Sequence, residues 1–176
     1  MKIRSIFFII TSFIIFGCNT IRVTYDYEKS ANFSKYKTYN YYGNIESGMS
    51  ELDDKRLFNA LNEGLQNKGF HLSETPDFFI DIQTSQYQSA NQSSVGVGLG
   101  GGGGNVGGGV SVGIPVGQAP MNRQIVFEFV DEKGVGLFWQ AVSDSGYNPE
   151  ASPEEREAQF KAIVAKVLEG FPPKKN

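Results

Sequence analysis

One cysteine, one histidine and one tryptophan are spread over 176 residues. A lone thiol cannot close an internal disulfide, so stability must come from packing even in an oxidising compartment. A lone histidine cannot build a histidine-rich metal site. With no serine elbow beside it, a nucleophilic triad is not supported either. His71 falls just past a predicted helix end, where an imidazolium complements the dipole, and reads as a surface or packing residue. Positive charge is also scarce. Sixteen Lys and Arg stand against 19 Asp and Glu, for a net charge of −3, and no basic stripe gathers them. That excludes the electrostatic footprint of a nucleic-acid binder. Long apolar runs are missing too. The N-terminal run from Ile6 to Phe16 falls well short of the roughly 20 residues that a spanning helix needs.

That short run is nevertheless the most informative segment of the chain. Lys2 and Arg4 precede it, Gly17 follows it, and Cys18 closes it. Basic start, apolar stretch and small residue make the three-part layout of a secretory signal. Ile15-Phe16-Gly17-Cys18 resembles the bacterial lipobox, with Phe16 bulkier than the usual residue at its position. The expectation is cleavage between Gly17 and Cys18 and fatty acylation of Cys18. Residues 1–17 are then a signal peptide, and residues 18–176 a single periplasmic domain of 159 residues. Such a length supports one hydrophobic core. Loss of Lys2 and Arg4 moves the formal balance to −5. Asn19-Thr20 carries no acidic sorting signal, so the expected address is the outer membrane, lipid-anchored and periplasm-facing.

Further along, Ile21 to Tyr27 alternates apolar and polar residues at the period of a half-buried strand. Tyr36 to Tyr42 is an aromatic-rich second strand. A helix is predicted from about Glu51 to Lys68, with Ser50 as N-cap, acids in its first turn, and Leu57, Leu61 and Leu65 on one stripe. Gly69 supplies its left-handed stop. Asp77 to Thr84 reads as a third strand, with Phe78, Ile80 and Ile82 on one face. Gln124–Val130 and Gly136–Val142 read as a hairpin turning at Asp131–Gly134, with Trp139 inward beside Leu137 and Ala141. A last helix opens at Ser152-Pro153-Glu154-Glu155, buries Phe160, Ile163, Val164, Val167 and Leu168, and ends at Gly170. The sum is an α+β fold: an antiparallel or mixed sheet of about five strands with two amphipathic helices packed on one face.

Residues 85–121 stand apart, because 12 of the 21 glycines fall between Gly96 and Gly117. Val95, Val97 and Leu99 on one flank and Val110, Val112 and Ile114 on the other alternate with small residues. The segment reads as a long hairpin or as a flexible insertion. Gly96-Val97-Gly98-Leu99-Gly100-Gly101 formally fits a dinucleotide-binding pattern, but Pro115 rather than a helix follows. A phosphate needs the amide groups of that helix, so no cofactor is expected. Asp53-Asp54 and Glu154-Glu155 sit in first helical turns and are accounted for by the dipole. Asp77 and Asp81 are a nominal carboxylate pair for a hydrolase. Among the tyrosines of the first two strands, Tyr39 and Tyr41 are the candidate binding surface for a small ligand or glycan, against ordinary sheet packing.

Val23-Thr24-Tyr25-Asp26-Tyr27, the stretch Phe33-Ser34-Lys35-Tyr36-Lys37-Thr38-Tyr39, Pro76-Asp77-Phe78, Phe138-Trp139 and Phe171-Pro172-Pro173 follow one another in order. This succession resembles the bacterial lipoproteins of the domain of unknown function 4136 family. Asn32 replaces an aspartate frequent there, and tyrosines follow Asn40 where a tryptophan is common. The resemblance implies a lipid-anchored α+β domain with a glycine-rich insertion before the last hairpin, and no catalytic residue. The expected function is a binding or structural module of the cell envelope, not an enzyme. Its partners would be the membrane, through the anchor, and an envelope protein or glycan, with the glycine-rich segment as contact element. A small-ligand binder and a carboxylate hydrolase are the alternatives.

Overall fold

A computed structural model describes residues 20–43, 45, 47–88, 94–96, 113–115 and 121–174. Gly17, Cys18 and the glycine-rich apex lie outside the described residues. Among the described residues, eight strands and two α-helices follow in chain order, with a 3-10 turn at Phe33–Lys35: β1 (Arg22–Tyr27), β2 (Thr38–Tyr41), α1 (Glu51–Asn67), β3 (His71–Leu72), β4 (Phe78–Gln88), β5 (Ser94–Gly96), β6 (Gly113–Pro115), β7 (Met121–Asp131), β8 (Gly136–Gly146) and α2 (Pro153–Leu168). Six of the strands form a mixed sheet in the order β1-β8-β7-β4-β2-β3. β2 runs parallel to both β3 and β4, and the remaining pairings are antiparallel. β5 and β6 pair antiparallel through Ser94↔Pro115, Val95↔Ile114 and Gly96↔Gly113, the base of the hairpin that the alternation suggests.

The α+β architecture agrees with the sequence, with one strand more than expected. The extra strand is β3, only two residues long, which periodicity cannot register. One face of the sheet carries Phe78, Ile80, Ile82, Ile125, Phe127, Phe129, Trp139 and Ala141 into a single core with the leucines of α1 and the apolar stripe of α2. Phe78 is its hub, with ring contacts to Tyr36, Tyr39, Phe70, Phe129, Phe138 and Phe171. The helices close directly on each other at Gly64, where a Cβ would stand 2.6 Å from Leu168 Cδ1 and 3.2 Å from Val164 Cγ1. Both N-caps form as read. Ser50 accepts from the Asp53 amide, and Ser152 makes a reciprocal capping box with Glu155.

The last strand departs from simple alternation. Leu137 does not share a face with Trp139. A register shift pairs Phe129 with Trp139 but Val130 with Leu137, so Phe138 is an extra, bulged residue. The bulge turns both Phe138 and Trp139 inward and leaves Leu137 47% exposed. Gly170 stands directly after the C-cap Glu169 of α2, as expected. Its missing side chain leaves room for the ring of Tyr25, which lies where a Cβ would stand.

Two carboxylates clamp the aromatic end of the fold. Asp77 Oδ2 accepts from the amides of Lys37 and Thr38, at 2.8 and 2.9 Å. Asp131 Oδ2 accepts from Lys35 Nζ at 2.6 Å and from the Tyr36 hydroxyl at 3.1 Å. Desolvation pushes both carboxyls upward, but these donors outweigh it and hold both below the usual carboxylate range. Groups depressed in the folded state contribute stability that is complete above the unfolded value of about 3.9 and is lost as pH falls below it. Urea midpoints taken from pH 6 down to pH 2.5 should therefore fall steeply. The Asp77→Asn/Asp131→Asn variant should start lower and show a flatter profile; an unchanged slope would contradict the clamp.

Candidate functional site

The inner face of β7 reads Arg123, Ile125, Phe127, Phe129, Asp131, so it is apolar in the middle and charged at both ends. At the Asp131 end the core is aromatic. Toward Arg123 it becomes small and polar, as β8 turns in Ser143 and Ser145 and β4 reaches Thr84 and Gln86. A cavity of about 410 Å³ opens here, between the N-termini of α1 and α2. Its rim before α1 is fixed by Ser47, whose carbonyl accepts from the Thr84 amide at 2.8 Å. Gly48, at φ +80, makes the turn that then delivers Ser50 to its capping position.

Three guanidinium groups meet at this cavity around one carboxylate. Asp53, 2% exposed, accepts from Arg56 Nη1 at 2.9 Å on Oδ1. On Oδ2 it accepts from Arg156 Nη1 at 3.0 Å and from Arg123 Nη1 at 3.5 Å. The arginines come from α1, α2 and β7, so the cluster ties both helices to the sheet. Arg156 also reaches back to the carbonyls of Ala151 and Pro149, which seats the turn before α2. Arg123 is buried, its guanidinium carbon 3.9 Å from the centre of the Tyr147 ring, and its Nε has no hydrogen-bond partner. A cation stacked on an aromatic face is stabilised there, but an unmet buried donor costs about 1–3 kcal/mol.

The residues singled out from sequence are placed elsewhere. Tyr39 is fully buried beneath α1 and is no surface group; it and the half-buried Tyr41 both donate to Asn62 Oδ1, at 2.9 and 2.8 Å. Burial pushes the Tyr41 hydroxyl upward. Alternation alone cannot say which face of a second strand a helix will cover. Asp77 and Asp81 have separate partners, Asp77 the β2 backbone and Asp81 the Gln83 amide at 3.1 Å. His71 is exposed on edge strand β3. Asp53, assigned from sequence to the helix dipole, is the centre of the arginine cluster. Arg56, Arg123 and Arg156 escaped the sequence reading. One signal was available: extending the β7 alternation back by one inward position lands on Arg123.

Sheet order, parallel β2 and paired helices define a two-layer α+β domain with its polar cavity at one end. The chain belongs to the family described as Domain of unknown function (DUF4136), whose model matches residues 23–173. Among solved structures it is similar to a PDZ domain protein from Parabacteroides distasonis, at TM-score 0.57 and 13% identity over 90% of this chain. The chain spans 37% of that protein's length. It is also similar to the PelC dodecamer from Paraburkholderia phytofirmans, at TM-score 0.51 and 8% identity, covering 89% of this chain and 100% of that one. At such identities the likeness concerns the fold alone. A search of curated proteins found no match.

Proposed function

We propose that the protein is a lipid-anchored domain of the bacterial outer membrane, periplasm-facing, that acts by binding and not by catalysis. The observation that carries this reading is Ile15-Phe16-Gly17-Cys18, with its only cysteine at the acylation position behind a basic and apolar leader. The placement of the domain supports it. Ile21 packs against the core and β1 starts at Arg22, three and four residues past the cysteine. Acyl chains hold by burying methylenes at about 0.8 kcal/mol each, and stable attachment takes more than one chain. A partner protein or glycan of the envelope would then meet a domain concentrated at one surface, with the β5–β6 hairpin as contact element.

Replacing Cys18 by serine should abolish fatty-acid labelling and move the protein from the membrane to the soluble fraction, with an unchanged circular dichroism spectrum. A serine variant that is still labelled and membrane-bound would refute the anchor. Deleting residues 95–117 should remove envelope crosslinks formed by the intact chain.

A further inference from the structure

We infer that the cavity between the two helix N-termini binds a phosphate ester, with Arg56, Arg123 and Arg156 as its cationic wall. The inference deepens the binding role proposed above and rests on it, but it does not depend on the anchor.

Charge is the first ground. Three arginines surround one carboxylate, which leaves two positive charges uncompensated within the cluster. Glu51 and Glu157 pair with Lys55 and Lys161, Glu157 also acting on Arg56, while Asp54 and Glu155 keep their charge outside the cluster in hydrogen bonds to Ser47 and within the capping box. A phosphomonoester carries about −1.5 to −2 near neutral pH, which matches that surplus. A monocarboxylate supplies half of it.

Burial is the second ground. Arg123 is 6% exposed, lines the cavity, and has an Nε donor that no group satisfies. Its bond to Asp53, at 3.5 Å, is the longest of the three. That Nε is shielded from solvent, so an anion in the cavity would act on the charge of the guanidinium and not by bonding Nε directly. Guanidinium forks suit phosphate oxygens, and the cavity volume of about 410 Å³ falls in the range of small-ligand sites.

Sheet register is the third ground. Gln86, Arg123 and Ser145 lie in one row across β4, β7 and β8, and Arg22 pairs with Asp144 in the next position. The start of β1, to which the leader is joined, is therefore at the cavity end of the sheet. The phosphate could come from a lipid headgroup or from a free metabolite; the chemistry of the site is the same.

Isothermal titration of the full-length chain in an uncharged maltoside detergent, with inorganic phosphate and then glycerol 3-phosphate, tests this. Saturable 1:1 binding is expected, at least tenfold tighter than for acetate and weakened at least tenfold in Arg56→Gln/Arg156→Gln. Both arginines are 21% exposed, which favours a folded variant. Should it fail to fold, the Arg123 Nε–H signal of the wild type provides an independent reading and should shift saturably with phosphate. Sedimentation of the Cys18→Ser chain with phosphatidate against phosphatidylcholine vesicles separates the sources. Pelleting with phosphatidate alone marks a headgroup, and no pelleting beside saturable phosphate binding marks a free ligand. Absence of saturation at 10 mM phosphate (about fifty-fold above a 0.2 mM affinity), equal binding by the folded double variant, or tighter binding of acetate would overturn the inference. None of these results bears on the Cys18 fractionation, so the two readings fail separately.

Discussion

Truncating Phe78 to alanine should cost about 4 kcal/mol and lower the melting temperature by about 10 °C. The ring is 1% exposed and lies at the junction of β2, β4, β7, β8 and the C-terminal segment. It stacks on Phe129 at 5.1 Å and meets Phe138 edge-on at 5.5 Å. Its removal cancels the transfer energy of a whole ring and leaves a void walled by six other aromatics. Rings cannot flow into a gap as aliphatic chains do, so little of the cavity will collapse. A domain of this size has about 5–15 kcal/mol in total, so about a quarter or more of its stability depends on one residue. Phe78→Leu should recover about half of the loss. Denaturant midpoints read by Trp139 fluorescence check both, because that indole is packed 4.6 Å from Phe129. A loss under 1 kcal/mol would show that the hub is not where the core is specified.

The second large effect belongs to Asp53. Replacing it by alanine should cost about 3 kcal/mol, because it leaves three arginines facing one another with no counter-charge. Asp53→Asn should lose most of the same amount while keeping the shape, which separates charge from packing. The penalty should fall as salt rises, since Arg56 and Arg156 are partly exposed. Phosphate should restore the alanine variant more than it stabilises the wild type, because the anion takes the place the carboxylate vacated. Ligand linkage returns about 2.7 kcal/mol at a hundredfold excess over the dissociation constant. Thermal melts in phosphate and in equimolar chloride of matched ionic strength measure the difference. If Asp53→Ala melts within 2 °C of the wild type, the cluster is not structural.

Much of the fold was legible because local signals agreed with one another. Helix α2 announced itself through Ser152-Pro153, the paired glutamates and an apolar stripe, and all five predicted core residues of that stripe are buried. Strand β4 was read for its inward face, though it continues four residues beyond the predicted end at Thr84. Its extension is polar, and only pairing with β7 keeps it in the sheet. What stayed hidden depended on contacts remote in sequence. Nothing local says that Tyr39 would lie under a helix, or that β2 would run parallel to β4. The arginine cluster is the extreme case. Arg56 and Arg156 are ordinary surface residues by local pattern, Arg123 is marked only by the inward alternation of β7, and it takes the sheet register and the helix pairing to bring all three to one carboxylate.

The bulge at Phe138 acts as a parity switch for the last hairpin. On its Gly146 side, odd-numbered residues of β8 point inward; past it, Leu137 points out although its number is odd. Two adjacent rings inside the core key the strand from both directions, since a slip of one place would draw Leu137 or Gln140 inward and expel an aromatic. The hairpin's alignment is thus stored within the strand and not in its turn. Residues 132–135 are thereby released from setting the frame. Loops of other lengths can be spliced there without retiming the sheet, which makes this turn the natural point for inserting a reporter into the domain.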